Sequence, residues 1–144
     1  MIYEAIQVVK LRMNIHEEQF AKSFIVPEKR ERYLSMLDSK KGRKKLITGF
    51  YHLRDLEEKY ATEVPPNEQW AENIYKMLKA KGSPDVCYII STNKEFDGKE
   101  LPLIDVLEEI VGTCDDGTFI SCIAGKLGYY EGESMGTRFI FEKK

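Results

Sequence analysis

The chain reads Gly117-Thr-Phe-Ile-Ser-Cys-Ile-Ala-Gly-Lys-Leu-Gly-Tyr-Tyr-Glu131 and then, after six more residues, Arg138-Phe-Ile-Phe-Glu142. Both runs are rich in aromatic and β-branched residues, which favour strands. Gly125, Gly132 and Gly136 stand in the gaps, where tight turns need unusual backbone angles. We therefore predict a three-stranded meander, which needs other elements to cover its apolar surface.

The segment before the meander predicts two helices and a strand. Residues 70–81 and 103–111 carry apolar residues at helical spacing, and Gly82 and Gly112 follow where a helix C-terminus favours glycine. Residues 86–90 are apolar on both faces, which is typical of a central strand. A strand, a helix and a further strand in this order suggest a right-handed crossover that sets two strands parallel.

The N-terminal half is predicted to be helical. Residues 2–24 show a helical apolar stripe, which Asn14 divides into two helices if it acts as an N-cap. Residues 27–38 predict another helix, which begins with a proline, and residues 43–60 predict a further helix. We expect a turn at 39–45 between these two helices. Met13 is an alternative start to Met1.

The sequence Val64-Pro65-Pro66-Asn67 is the clearest boundary, because two prolines cannot continue a helix and Asn67 can cap the next one. We interpret it as a hinge between layers of one domain that spans residues 1–144. Residues 1–63 form a mainly helical layer, and residues 67–144 supply helix, strand, helix and meander. The predicted fold class is α+β, with the helical N-terminal half packed on a mixed sheet of about four strands from the C-terminal half.

Charge is unevenly distributed, although the net charge is only -2. Residues 1–60 contain 13 basic and 9 acidic side chains, whereas residues 61–144 contain 9 basic and 15 acidic ones. This balance excludes a strongly basic nucleic-acid protein and an acidic disordered tail. It permits head-to-tail association between the basic end of one copy and the acidic end of the next.

The cysteine count indicates reduced thiols in the cytoplasm. Cys87, Cys114 and Cys122 are odd in number and lack C-x-x-C spacing, and only two histidines accompany them, so neither a disulfide framework nor a zinc site fits. No apolar run approaches the ~20 residues of a membrane span. We therefore expect no cofactor and no membrane partner.

A cluster of basic residues predicts a surface that binds phosphates or another macromolecule. The simpler interpretation is a solvated corner between two helices, since no aromatic residue is interleaved in the run. The predicted interaction surface comprises Lys29, Arg30, Arg32, Lys40, Lys41, Arg43, Lys44 and Lys45.

Acidic residues offer a weaker metal hypothesis. Asp85, with Asp97 and Lys99, formally matches the acid-x-lysine pattern of metal-dependent nucleases, but Asp97-Gly98 is typical of a turn, not of the rigid strand which that chemistry needs. Further acids are expected near strand ends and loops, where solvation is their ordinary fate. They are Glu95, Glu100, Asp115, Asp116, Glu131 and Glu133.

Nucleophile and aromatic candidates also have simple alternatives. Cys122, beside Ser121, needs a base, and His16 and His52 are distant in sequence, so we expect Cys122 and Cys87 to be buried core thiols and Cys114 to be exposed. Phe20 replaces the second histidine of the zinc-protease helix motif. Aromatic residues that could stack on ligands are more often core residues. These are Trp70, Tyr129 and Tyr130.

The sequence therefore favours a small non-enzymatic interaction domain that meets a macromolecule, protein or nucleic acid, through the basic corner and an acidic opposite end. The alternatives are a nucleic-acid-binding protein that uses the patch at 40–45, and a metal-dependent hydrolase or nuclease that uses loop carboxylates.

Overall fold

A six-stranded sheet forms the middle layer of the molecule, and helices cover both of its faces. The computed structural model describes residues 14–113, 116–132 and 138–144 of the 144-residue chain. Each pair of neighbouring strands is antiparallel, in the order β1-β6-β5-β4-β2-β3. The strands are β1 (Ala61–Glu63), β2 (Val86–Ser91), β3 (Glu100–Pro102), β4 (Thr118–Ile123), β5 (Leu127–Glu131) and β6 (Arg138–Glu142).

Five α-helices and four 3-10 turns lie in the described residues. None of these helices is long and apolar enough to cross a membrane. The α-helices are α1 (Ile15–Phe24), α2 (Arg30–Leu37), α3 (Lys40–Thr48), α4 (Ala71–Ala80) and α5 (Leu103–Ile110), and the 3-10 turns are Pro27–Lys29, Phe50–His52, Glu58–Tyr60 and Pro66–Glu68.

Two hydrophobic cores separate the three layers. The first joins α1, α2 and α3 to one sheet face, where Phe20 and Phe24 pack against Phe119 with ring centroids 4.6 and 5.7 Å apart. The second joins α4 and α5 to the other face, where Ile74 and Ile120 are fully buried. The sheet is apolar on both faces because a helical layer covers each of them.

Much of the predicted architecture is confirmed. The fold class is α+β, the N-terminal half is largely helical, and the meander from Gly117 onward forms β4, β5 and β6. Asn14 caps α1, since its side-chain oxygen accepts a hydrogen bond from the backbone N–H of His16 at 2.7 Å. Gly82 and Gly112 follow α4 and α5 with positive φ angles. The stripe predicted before Asn14, and Met13 with it, lies outside the described residues.

The prediction of a mixed, four-stranded sheet was wrong. The short strand β3 pairs antiparallel with β2 and reverses the chain before α5 begins. The crossover helix α5 therefore joins β3 to β4, which are parallel to each other but are separated by β2. The N-terminal half also contributes β1, which pairs with β6 at the other edge. Three-residue strands such as β1 and β3 are too short to show a period of two.

The predicted turn at 39–45 and helix at 43–60 were also wrong. Helix α3 begins at Lys40, because the Ser39 hydroxyl accepts a hydrogen bond from the N–H of Gly42 at 3.0 Å. Gly42 lies inside this helix, where a Cβ would come within 2.6 Å of the carbonyl oxygen of Met36. Between Gly49 and Trp70 the chain forms no α-helix. Asn67 lies in a 3-10 turn, and α4 begins after Trp70 without a side-chain cap.

We expect Gly128→Ala to destabilise the sheet. A Cβ at this position would lie 2.5 Å from Cζ of the buried Phe119 and 2.8 Å from the carbonyl oxygen of Ile120. Such overpacking should lower the free energy of unfolding by about 1–3 kcal/mol. Gly49→Ala is the matched control, since its nearest contact is at 3.6 Å and it should change stability by no more than about 0.5 kcal/mol. Equal urea midpoints for the two variants would contradict this packing.

Candidate functional site

The basic run of the sequence separates into two groups on α3. Lys40, Lys41, Lys44 and Lys45 are exposed, and their spacing places them on one side of the helix. None of the four forms an ion pair with a carboxylate of the described residues. We call these four residues the lysine face. Arg43 is only 23% exposed and belongs to the opposite side of the helix.

Two carboxylates from distant segments bind Arg43. Its guanidinium donates to Glu17 through Nε at 3.0 Å and Nη2 at 2.9 Å, and to Asp97 through Nη1 at 2.5 Å and Nη2 at 2.9 Å. Asp97 also accepts a hydrogen bond from the N–H of Ser91 at 2.9 Å. Burial alone lowers the pKa of Arg43, but the contacts with Asp97 and Glu17 outweigh it and raise the pKa above its ordinary value. The guanidinium therefore stays charged.

Tyr88 and His16 extend this cluster across the sheet. The Tyr88 hydroxyl donates to Glu17, and burial together with this contact raises the pKa of Tyr88. The His16 ring stacks on Tyr88 with centroids 5.4 Å apart and planes 7° apart, and its Nδ1 lies 2.6 Å from Oγ of Ser121. Burial lowers the pKa of His16 below 6.5, and the charge of Glu100 partly offsets this.

The pair formed by His16 and Ser121 has the geometry of a base beside a hydroxyl nucleophile. Ser121 is only 1% exposed, however, so a substrate has little access to its oxygen. Cys122 packs in the core on the other face of the sheet, away from His16. Burial raises the pKa of Cys122 to about 11, which keeps it a thiol. Cys87 is buried as well, so both match the expectation of core thiols, whereas Cys114 lies outside the described residues.

A groove of about 470 Å³ lies between α3 and the loop that follows β2. Three lysines border it, namely Lys40 and Lys44 of the lysine face and the exposed Lys94 of the loop. Ile47 and Tyr51 supply apolar and aromatic surface. The groove thus combines positive charge with a wall on which a planar group can stack.

The remaining residues of the predicted basic surface lie elsewhere. Arg30 donates through Nε to the carbonyl oxygen of Ile25 at 2.9 Å. Arg32 is exposed beside a different cavity, of about 340 Å³, and Lys29 lies in the 3-10 turn before α2. None of the three borders the groove. Of the predicted basic surface, Lys40, Arg43 and Lys44 border the groove, and Lys94 joins them from the loop after β2.

The acidic candidates do not converge on a metal site within the described residues. Asp85 precedes β2 and pairs with Lys79, whereas Asp97 contacts Ser91 at the far end of the same strand. No group of three or more histidine, cysteine, aspartate or glutamate side chains in the described ranges is arranged to hold a metal ion. Asp115 and Glu133 lie outside those ranges.

The burial of two candidate residues differs from the prediction. Glu131 is not a solvated loop acid, because it is 2% exposed and accepts a hydrogen bond from the Tyr129 hydroxyl at 2.7 Å. Trp70, the residue just before α4, is 52% exposed and is not part of the core. Tyr129 and Tyr130 are buried as expected.

Sequence reasoning missed Glu17, Tyr51 and Lys94. Glu17 and Arg43 are 26 residues apart, and Lys94 reaches the groove from the other half of the chain. No local pattern reports such contacts. Helical spacing would have separated Arg43 from the lysines. Leu46 and Ile47 follow Arg43 by three and four positions, so they lie on the same side of the helix as Arg43.

The chain matches no protein-family model, no curated protein and no solved structure. A functional conclusion therefore depends on the geometry of these residues.

We expect Arg43→Met to destabilise the protein, because it leaves Glu17, which is 6% exposed, without its cation. Breaking such a pair should cost about 3 kcal/mol. Lys44→Met, one residue further along the same helix, should change the free energy of unfolding by less than about 0.5 kcal/mol. Denaturant unfolding of both variants measures the difference, and similar losses in the two would refute the structural role of Arg43.

The folded protein should protonate His16 only below pH 6.5. Because the unfolded chain takes up this proton at higher pH, the free energy of unfolding should fall as the pH decreases from 6.5 toward the folded pKa. NMR titration of the two histidine rings measures the shift, and a His52→Asn variant assigns the His16 resonance. A His16 midpoint at or above 6.5 would contradict its desolvation against Tyr88 and Ser121.

Proposed function

We propose that this chain is a non-enzymatic interaction domain of the cytoplasm that binds nucleic acid through the lysine face of α3. The observation that carries this proposal is the exposure of four adjacent ammonium groups without a carboxylate partner in the described part of the chain. Free thiols at Cys87 and Cys122 suit the reducing cytoplasm.

Four other lysines of the chain differ from the lysine face, because each pairs with a carboxylate. Lys22 pairs with Glu18 at 3.0 Å, Lys76 with Glu72 at 3.2 Å and Lys79 with Asp85 at 2.7 Å. In these ion pairs the carboxylate partly cancels the positive potential of the lysine. No described carboxylate pairs with the lysine face, so its positive potential is not reduced in this way. Polyanions gain affinity for such a surface because bound lysines release condensed counterions.

Nucleic acid is favoured over an acidic protein by the neighbouring groove. A protein surface usually mixes charges of both signs, whereas a nucleic-acid backbone presents regular negative charge to a cluster of one sign. In the groove, Tyr51 lies beside Lys40, Lys44 and Lys94. Nucleic-acid sites use this combination of aromatic and basic residues. Arg43 supports this function indirectly, since its ion pairs hold α3 against the sheet.

The test is binding to mixed-sequence DNA and RNA at about 50 and 200 mM salt. Neutralising the lysine face in a Lys40→Gln, Lys41→Gln, Lys44→Gln, Lys45→Gln variant should weaken binding at least about tenfold. It should also reduce the slope of log affinity against log salt by about 3 to 4, since each of the four phosphate contacts contributes about 0.7 on a single strand and about 0.9 on duplex DNA. Arg43 stays unchanged in this variant because of its structural role.

A second quadruple variant is the control with the same change in net charge. Lys22→Gln, Lys76→Gln, Lys79→Gln and Lys81→Gln remove four lysines that already have carboxylate partners. This variant should retain most of the affinity. Equal losses in the two variants, or no binding by the wild type at low salt, would overturn the proposal. Light scattering on the same samples tests the competing possibility that the lysine face binds a second copy of the chain.

A further inference from the structure

The groove beside the lysine face is bordered by cationic residues from two separate segments. Lys40 and Lys44 reach it from α3 and Lys94 from the loop after β2, so two separate segments direct cations to one space. None of the three forms an ion pair with a carboxylate in the described ranges. Asp97 also borders the groove, but Arg43 binds both of its oxygens. Within the described residues, the carboxylate that lines the groove is therefore already paired with a cation.

Hydroxyl groups at the border of the groove are engaged, with one exception. Thr92 donates to Asp116 at 3.0 Å, and Thr48 donates to the carbonyl oxygen of Lys45 at 2.6 Å. Tyr51 is half-buried, and its hydroxyl makes no hydrogen bond to the described residues. Tyr51 therefore lines the groove with a hydroxyl that has no partner among the described residues.

Contacts with β5 and with Gly117 position the backbone around Tyr51. Tyr51 belongs to the 3-10 turn Phe50–His52, whose carbonyl oxygen at Phe50 accepts a hydrogen bond from the buried Tyr130 hydroxyl. Gly117 packs directly on this turn, since a Cβ there would lie 2.2 Å from the carbonyl carbon of Phe50. A preformed aromatic wall loses little entropy when a ligand binds.

We propose that the groove is a subsite for one unstacked nucleotide, with the base against Tyr51 and Ile47 and the adjacent phosphates on Lys40, Lys44 and Lys94. This inference rests on the proposed nucleic-acid function and deepens it. A groove of about 470 Å³ is within the usual size of ligand sites. A base in a duplex is stacked and paired and cannot enter the groove without being extruded, so the protein prefers single strands.

The experiment compares affinities for a single-stranded oligonucleotide and for the duplex of the same sequence. The wild type should bind the single strand more tightly. Tyr51→Ala should weaken single-strand binding about tenfold, since stacking on one aromatic residue contributes a factor of that order. It should weaken duplex binding less than single-strand binding, and it should leave the salt slope unchanged because the ring carries no charge. Tyr51→Phe should keep the affinity because it retains the ring.

Two further variants make the result decisive. Tyr75→Ala removes a partly buried tyrosine from α4, on the other face of the sheet, and should leave single-strand binding unchanged. Lys94→Gln changes an exposed loop residue and should weaken single-strand binding severalfold, which tests the groove even where Tyr51→Ala fails to fold.

The outcomes separate the two proposals. Loss of binding in the lysine-face variant, with no effect of Tyr51→Ala or Lys94→Gln, would overturn the nucleotide subsite and leave the lysine-face function standing. Equal affinity of the wild type for single strand and duplex would also overturn the subsite. Absence of binding to either form at low salt would overturn both.

Discussion

The ion pairs of Arg43 with Glu17 and Asp97 are the interaction on which the rest of the structure depends. Glu17 belongs to α1, Arg43 to α3 and Asp97 to the segment between β2 and β3, so one guanidinium joins two helices to the sheet. Removing these charges from water is costly, and the cost is offset only when the hydrogen bonds of the cluster are made together. Tyr88 contributes to that requirement by donating to Glu17. The cluster therefore favours one relative position of the helical layer and the sheet.

One side of α3 packs against the rest of the protein, and the other side is exposed and basic. The side that carries Arg43, Leu46 and Ile47 faces the core or the groove. The lysine face lies on the exposed side, with Lys40 and Lys44 at the border of the groove. A flexible basic loop would lose conformational entropy on binding a polyanion, whereas side chains on a fixed helix lose less. The buried ion pairs thus hold in a constant arrangement the four exposed lysines that we propose as the binding surface.

The elements that sequence could predict are those with a sustained pattern. Helical spacing identified α1, α4 and α5, and residues 86–90 indicated a central strand because they are apolar on both faces. The antiparallel order of the sheet was not predictable, because β3 has only three residues and no periodicity. Gly42 suggested a turn, although the close approach of α2 and α3 requires it within a helix. Local patterns report neighbours along the chain and not the partner of a residue 105 positions away, as Ser121 is for His16.

Net charge and local charge have different consequences for the proposed binding. The chain as a whole carries -2, so its average field does not attract a polyanion, and acidic parts of the surface repel it. The proposed attraction comes from the region where Lys40, Lys41, Lys44 and Lys45 are joined by Lys94 and where Arg43 neutralises Asp97. Such a distribution lowers affinity compared with a uniformly basic protein, but it permits fewer orientations of the bound strand. A strand oriented in this way passes the mouth of the groove, where stacking on Tyr51 adds an attraction that salt does not screen.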